Sequence, residues 1–344
     1  MDSEDIIGFG PLYESMCKCQ NGVMWKDSVA HYVLNSIEET IRLENELKSG
    51  KYKARPTYKF TITSPKPREI ISIAFRDRVY QRSLNDNALY PAMTRSFIRD
   101  NWACQRGKGT TDALDRMKVF LRRMYRKHGL NFCGLQVDIH DYYGSMQHKN
   151  ADHNLRRKLD PETAHRAITV LDGQYAGETG YNPGSQMVQI VGISALDGCD
   201  HAVKERMGVD EYGRYMDDSL IFSSSIETLE QCRDTLEKLL AEEGMSYNPK
   251  KTHVFSIKEG FLFLGFFFRV TKTGKVIMSV SSENVRRQRR KLKRLVNKCQ
   301  RGDIPKAKVY ESYASWRAHA ELGNSHNLVK RMDKYFKSLW EAAC

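Results

Sequence analysis

The 344-residue sequence predicts an α+β fold built on an antiparallel sheet, and three observations carry that expectation. Strand-like and helix-like stretches mix without the regular alternation that builds parallel sheets. Residues 211–225 (EYGRYMDDSLIFSSS) place two apolar runs around an acidic pair, the pattern of a β-hairpin. No repeat, low-complexity tract or Gly/Ser linker interrupts the chain, so its two or three structural units are expected to pack against one another.

Residues 25–49 carry apolar positions at helical spacing and stop before Gly50, a residue suited to closing a helix. KFTITSP (59–65) alternates as a strand does, and REIISIAF (68–75) follows as a second strand. Helix is expected over 76–91 and again over 111–127, where the pattern is amphipathic and basic. FCGLQVDIHDYYGSM (132–146) reads as a buried strand entering a turn. Helical patterns fill 149–176 and, after the Pro183-Gly184 turn, 186–207. Helix 226–244 precedes strands at 252–256, 261–268 (FLFLGFFF) and 276–280. The segment 283–301 is strongly basic and helical, and 305–341 forms a further helical unit.

Composition narrows the class of protein. Hydrophobic residues are 40% and charged residues 28%, and no apolar run approaches the ~18–20 residues that span a bilayer. The acidic start, MDSEDIIGFGPLYESM, lacks the basic-then-apolar order of a signal peptide, so a cytoplasmic protein without membrane partners is expected. The eight cysteines are scattered, and the lone Cys17-x-Cys19 is a weak metal signal. They read as reduced thiols, many of them buried. The formal net charge of +13 favours a polyanionic partner, because each cation meeting a phosphate releases a counterion. A solvated basic surface explains the charge equally well, so a motif must decide.

Two carboxylate sites supply that motif. Asp138 lies in LQVDI and Asp217-Asp218 in YMDDSLIF, apolar settings where an unpaired anion is expensive to bury and a bound cation is the natural compensation. A bare acidic pair is usually a turn or helix cap. Here a hairpin tip would set Asp217 beside the end of the strand carrying Asp138. Three convergent carboxylates could hold two Mg²⁺ ions through oxygen. A two-metal site of that kind activates a hydroxyl and stabilises a leaving pyrophosphate.

YMDD (215–218), between hydrophobic strands, resembles the palm motif of reverse transcriptases, and VDIHDYYGSM (137–146) resembles the palm motif that precedes it. The ordered set of motifs, over roughly residues 55–300, makes the resemblance specific. It implies a right-hand polymerase fold with fingers, palm and thumb. The expected division is a helical N-terminal extension (1–55), fingers (56–130), a palm with the YMDD centre (131–270) and a basic helical thumb (271–344). The implied activity is RNA-directed DNA synthesis with Asp138, Asp217 and Asp218 as catalytic residues. These three and Ile139 would hold two Mg²⁺ ions, with Mn²⁺ as a substitute.

The same resemblance assigns a dNTP site to Lys66, Arg68, Asp141, Tyr142, Tyr143, Gln186 and Lys251. Tyr143, five residues after Asp138, matches an aromatic steric gate whose ring would clash with a 2′-hydroxyl; ordinary core packing is the alternative. Lys66 and Arg68 flank a hairpin that could close on the triphosphate, while Arg76 and Arg78 fit surface ion pairs equally well. Lys251 in NPKKT matches a lysine that can protonate departing pyrophosphate, with a solvated turn as the alternative. RGKGT (106–110) is too short for a phosphate-binding P-loop and resembles a fingers turn.

Template and primer contacts fall on Ser185, Tyr215, Met216, Leu264, Gly265, Arg286, Arg290 and Lys293. FLGF (263–266) resembles the primer-gripping hairpin, and the basic segment 283–301 the thumb helix that lies along the nucleic-acid backbone. Trp316 and Arg317 are expected to pack the thumb. NPGSQMVQ (182–189) departs from the family pattern: Gly180-Tyr181 stand where Gln-Gly is usual and Gln186 where proline is usual. Ser-Gln at that place is similar to the polymerases of diversity-generating retroelements.

The resemblance therefore implies a reverse transcriptase of a bacterial or phage retroelement. Its partners would be a structured noncoding RNA template, the RNA/DNA hybrid, dNTPs and a small basic accessory protein. A defence-associated enzyme using its own noncoding RNA, or no template, is the alternative. A catalytically idle, maturase-like RNA-binding protein fits less well, because an idle site has no reason to keep three costly carboxylates. No stretch beyond the thumb is expected to supply an RNase H or an endonuclease.

Overall fold

The computed structural model describes residues 3–63 and 67–341. The chain opens with helices α1 (Glu4–Ile7), α2 (Phe9–Cys19), α3 (Asp27–Leu34) and α4 (Ser36–Lys48). The helix expected over 25–49 is thus two helices, broken at Asn35, whose backbone (φ −107°, ψ 31°) leaves the helical region. Strands β1 (Tyr58–Ile62) and β2 (Arg68–Ser72) pair antiparallel, Tyr58 opposite Ser72 and Ile62 opposite Arg68. Then come α5 (Phe75–Leu84), a π-helical turn (Asn85–Leu89), α6 (Tyr90–Thr94) and α7 (Thr110–His128).

Strand β3 (Cys133–Asp138) leads to α8 (Tyr142–Ser145), α9 (His148–Lys158) and α10 (Pro161–Asp172). The helix expected over 186–207 is interrupted: α11 (Gln186–Ala195), α12 (Asp197–His201) and a second π-helical turn (Ala202–Arg206). A hairpin of β4 (Tyr212–Tyr215) and β5 (Asp218–Ser223) follows, then α13 (Ile226–Glu242) and β6 (His253–Ser256). The FLFLGFFF run is two strands, β7 (Phe261–Phe263) and β8 (Phe266–Val270), rather than one. Leu264 (φ 48°) and Gly265 (φ 85°) turn the chain through left-handed conformations between them. The order closes with β9 (Val276–Val280), α14 (Ser282–Gln300), α15 (Lys306–Glu321) and α16 (His326–Glu341). Among the described residues, no helix is long and apolar enough to cross a membrane.

Two compact units divide the chain. The first comprises Met1–Gly109, Val137–Leu220 and Gln231–Thr252; the second Thr110–Gln136, Ile221–Glu230 and His253–Cys344. Strands order as β4-β5-β3-β6 in one sheet and β7-β8-β9 in another; β3 and β5 run from one unit into the other.

In the first unit α11 is the central helix. Its sequence QMVQIVGISA is apolar on nearly every side, and Met187, Val188, Ile190, Val191 and Ile193 are all buried, as expected of a helix surrounded by protein. Ser185 caps it, accepting from Val188 N at 3.2 Å. Strand β4 is seated on residues 100–102 through Arg214 N to Asp100 O (2.9 Å) and Trp102 N to Arg214 O (3.0 Å). The approach is so close that a Cβ on Gly213 would stand 2.1 Å from the Trp102 ring.

In the second unit, Phe132, Phe222, Phe255, Phe261 and Phe268 form a chain of ring contacts. Helix α7 turns Leu114, Met117, Phe120, Leu121 and Met124 inward. Helix α14 buries only Gln288, Leu292 and Val296, so Arg286, Arg290 and Lys293 project outward as exposed cations. Trp316 is buried with its Nε1 donating to Asn284 (2.8 Å). Arg317 pairs with Glu321 at 2.7 Å. Both pack this unit, as expected. Of the seven described cysteines only Cys199 and Cys232 are buried and Cys104 is exposed, fewer buried thiols than composition suggested.

Candidate active site

Asp138 ends β3, and Asp217 and Asp218 lie at the tip of the β4–β5 hairpin. Because β5 lies next to β3 in the sheet, the tip and the strand end meet in the first unit. The tip is tight. Met216 takes a left-handed backbone (φ 57°), a conformation uncommon outside glycine and a form of local strain. Burial, and then the negative charge of Asp138, push the Asp217 carboxyl above the usual range, opposed by Lys251 and Arg214.

Lys251 is the positive centre of the group. Its Nζ lies 2.7 Å from Asp138 Oδ1. That hydrogen bond, together with the charges of Asp138, Asp217 and Asp218, raises its pKa. Of the three predicted carboxylates, Asp138 is the one in direct contact with this ammonium. The NPKKT segment holds Asp138 from other sides too: Asn248 Nδ2 donates to Oδ2 (3.0 Å), Asn248 N to the main-chain oxygen (2.8 Å), and Asp138 N to Thr252 Oγ1 (3.2 Å). Ile139 is buried and bridged to Tyr247. Among the described residues no three acidic, His or Cys side chains are already gathered as a metal-holding cluster. The donor set nevertheless suits a hard cation: carboxylate oxygens at a centre whose charge one ammonium offsets only in part.

Beneath the tip lies a support that motif reading missed. Arg214 is 1% exposed and Asp200 0%. They form a two-pronged ion pair, Nε to Oδ1 at 2.7 Å and Nη2 to Oδ2 at 2.6 Å. Arg214 Nη1 also donates to Met216 O (2.9 Å) and Nη2 to Ile193 O (3.1 Å). Tyr212 Oη donates to Asp200 Oδ1 (2.6 Å), and Asn101 Nδ2 to Oδ2 (3.3 Å). The guanidinium thus fixes the carbonyl of the left-handed turn residue one position before Asp217. Asp200 sits in DGCDH, which carries no recognisable pattern, so the sequence does not mark the partner of Arg214.

Tyr143 stands beside the tip. Its Oη meets Met216 Sδ at 3.8 Å, and its ring fills the space that the missing side chain of Gly192 leaves, where a Cβ would lie 2.8 Å from Cε1. Tyr142 is buried, its hydroxyl donating to Gly192 O. Asp141 is left-handed (φ 42°) and its carboxylate folds over Gly144, whose Cβ would meet Oδ2 at 2.1 Å. Tyr215 and Met216 are half-buried at the tip, and Gln186 is exposed at the first turn of α11.

Other expected contacts fall elsewhere. Lys66 lies outside the described residues, as does the side chain of Arg68. Arg76 is a buried structural cation, held by Glu46 at 2.5 Å, rather than a surface one. Lys108 of RGKGT ties its own loop together through Arg99 O (3.0 Å) and Asn101 O (2.9 Å). Tyr181 is buried and stacks on His148 with ring centroids 4.5 Å apart. Leu264, Gly265, Arg286, Arg290 and Lys293 belong to the second unit.

A family profile described as reverse transcriptase (RNA-dependent DNA polymerase) matches residues 61–268. No curated protein matches the chain. Among solved structures, the telomerase of Candida albicans in complex with a fragment of telomeric RNA shares 12% identity at a TM-score of 0.52. It aligns with 86% of this chain and 56% of its own. Apo telomerase of Candida tropicalis, truncated from its C-terminal domain, shares 14% identity at a TM-score of 0.49, covering 71% of this chain and 60% of its own. The chain thus spans between half and two thirds of these structures, and at such identities the likeness concerns the fold alone.

Arg214→Met should cost about 3–5 kcal/mol by leaving Asp200 buried and unpaired, read as a lowered urea midpoint. Adding Asp200→Leu should restore part of that stability but no nucleotide incorporation, since the Met216 carbonyl still lacks its donor. Equal recovery of both would reduce the pair to a packing element.

Proposed function

The chain belongs to the reverse transcriptase (RNA-dependent DNA polymerase) family, and from that premise we propose that it copies a structured RNA into cDNA at the Asp138–Asp217–Asp218 centre, as the polymerase of a prokaryotic retroelement. An RNA-directed DNA polymerase is a nucleotidyltransferase, and the matched region contains every residue of that centre. The observation that carries the reading is that Asp138, held by Lys251 at 2.7 Å, ends the strand beside the hairpin that bears Asp217 and Asp218.

In this reading Asp138, Asp217, Asp218 and the main-chain oxygen of Ile139 would hold the Mg²⁺ pair, for which Mn²⁺ could substitute. When bound, the ions supply activation of the primer 3′-hydroxyl and stabilisation of the leaving pyrophosphate. The protein's own groups do the rest. Lys251, kept protonated by its acidic surroundings, carries a proton at Nζ for the departing pyrophosphate. Tyr143, braced between Gly192 and Met216, sets its ring where a ribose 2′-hydroxyl would collide. Asp141 and Tyr142 shape the backbone beneath the nucleotide, and Lys66 and Arg68 hold the triphosphate. In the first unit Tyr215 and Met216 would meet the primer end; in the second, Leu264 and Gly265 of the β7–β8 turn would grip the primer, and Arg286, Arg290 and Lys293 would bind the phosphodiester backbone. The fingers, palm and thumb would follow the 56–130, 131–270 and 271–344 division.

The Ser185-Gln186 pair supports a diversity-generating element, with a structured noncoding RNA and a small basic accessory protein as partners in the cytoplasm. Sequencing the nucleic acid that copurifies with the protein should return cDNA of a variable repeat. Recovery only of cDNA from an RNA encoded beside the polymerase, or of untemplated DNA, would favour the defence role.

Asp217→Asn changes charge with little change in volume and should abolish dNTP incorporation on a primed RNA while leaving the melting temperature within a few degrees; near wild-type incorporation would refute the assignment of the centre. Tyr143→Ala should admit rNTPs. Unchanged sugar selectivity would leave the tyrosine as core packing.

A further inference from the structure

Helix α12 carries Asp200, and side chains tie this helix and the π-helical turn after it to residues 96–101, beside which β4 is seated. Ser96 Oγ donates to Asp197 Oδ2 (2.7 Å), Asn101 Nδ2 to Asp200 Oδ2 (3.3 Å), and Lys204 meets Asp100 at 2.9 Å. A further link is His201, the residue after Asp200, whose Nε2 lies 2.8 Å from Ser96 O. Its other nitrogen, Nδ1, lies 2.9 Å from the Glu205 carboxylate.

Both ring nitrogens therefore face acceptors. A main-chain carbonyl and a carboxylate cannot donate, and a neutral imidazole carries only one N–H. The neutral ring must set a lone pair against an oxygen; the imidazolium satisfies both. Another oxygen calls for the same charge. Asp197 Oδ1 is buried without a hydrogen-bond partner among the described residues, and His201 Nε2 stands 3.6 Å from it. Lys158, from α9, holds the opposite oxygen, Oδ2, at 2.8 Å. The groups around the ring are thus Asp197 and Glu205 on its own helical run, the Ser96 carbonyl on the stretch packed against it, and Lys158 beyond Asp197. Burial lowers the pKa of the ring, but the hydrogen bonds to Glu205 and Ser96 and the two negative charges outweigh it, raising it above the ordinary 6.5. Among the side chains of these links, histidine is the one whose ordinary range lies near neutrality.

We propose that His201 is a positioning residue that works as the imidazolium: it locks α12 to residues 96–101 and, through the Asp200–Arg214 pair, fixes the Met216 carbonyl at the hairpin tip. The proposal rests on the reading that nucleotide addition occurs at that tip, and adds a pH response to it. A group whose pKa is raised by folding contributes fully below its unfolded value, and the contribution is lost as pH rises through the folded one. The lock is therefore closed on the acid side and released on the alkaline side.

The test is single-nucleotide incorporation on a primed RNA at saturating substrate, from about pH 6 to about pH 9, for wild type, His201→Gln and His201→Arg. The ratio of wild type to variant at each pH cancels the pH dependence of the chemistry itself. Wild type should exceed His201→Gln about three- to tenfold at the acid end, the worth of one charge-assisted hydrogen bond, and the ratio should fall to about one at the alkaline end. RNA affinity should stay unchanged, since the effect lies at the tip. Glu205→Gln, which removes one acceptor, should move the fall toward lower pH. A wild-type-to-Gln ratio that is flat with pH overturns the proposal and leaves His201 as a packing residue. Should His201→Gln fail to fold, the wild-type ring decides. Its NMR titration, identified by the resonance that His201→Arg lacks, must have a midpoint above 6.5 and coincide with the fall of wild type relative to His201→Arg; a midpoint at or below that value overturns the proposal. Asp217→Asn separates the two readings. Normal incorporation by that variant refutes the centre itself, whereas an inactive variant together with a flat ratio removes the His201 assignment alone.

Discussion

The buried ion pair between Arg214 and Asp200 is the constraint on which the candidate active site depends. A hairpin tip carrying two adjacent carboxylates and a left-handed methionine has every reason to relax, since repulsion, burial and backbone strain act in the same direction. Arg214 opposes all three. It donates to the carbonyl of the strained residue, brings positive charge near Asp217, and is anchored by two short bonds to a carboxylate that Tyr212 and Asn101 also hold. A buried pair of this kind adds little net stability over an apolar substitute. What it contributes is geometry, because both guanidinium edges are committed and the turn has one place to sit.

Asp138 is governed by the same economy of charge from the opposite strand. Asn248, Lys251 and Thr252 all reach it from a single five-residue stretch, so the orientation of this carboxylate is set by the chain just before β6. The hairpin tip is positioned from beneath by α12 and the strand end from the side by the NPKKT segment. The two supports share no residue, and the site is over-determined by independent contacts.

Much of this was legible in sequence. Alternating apolar runs around Asp217-Asp218 gave the hairpin, and the apolar period of residues 111–127 and 283–301 gave α7 and α14 nearly to their ends. The grouping of Asp138 with the hairpin tip followed from the burial cost of the carboxylates, the expected hairpin and the resemblance of the two motifs together. What escaped was long-range or conformational. Asp200 lies in a short helix whose local sequence holds no period, and its bond to Arg214 exists only after the chain has folded. The aromatic run 261–268 looked continuous because phenylalanine suits a strand at every position; the lone Gly265 inside it was the available sign of a turn. The π-helical turns after α5 and α12 have no compositional signature, so one helix was expected where the chain has several pieces.

The ammonium of Lys251 has one more consequence. With Nζ 2.7 Å from Asp138, the folded chain carries one cation of its own beside the acidic centre, on a flexible stem, and offsets part of the mutual repulsion of the three carboxylates from within. Any cation that enters this centre must therefore compete with an ammonium already in place.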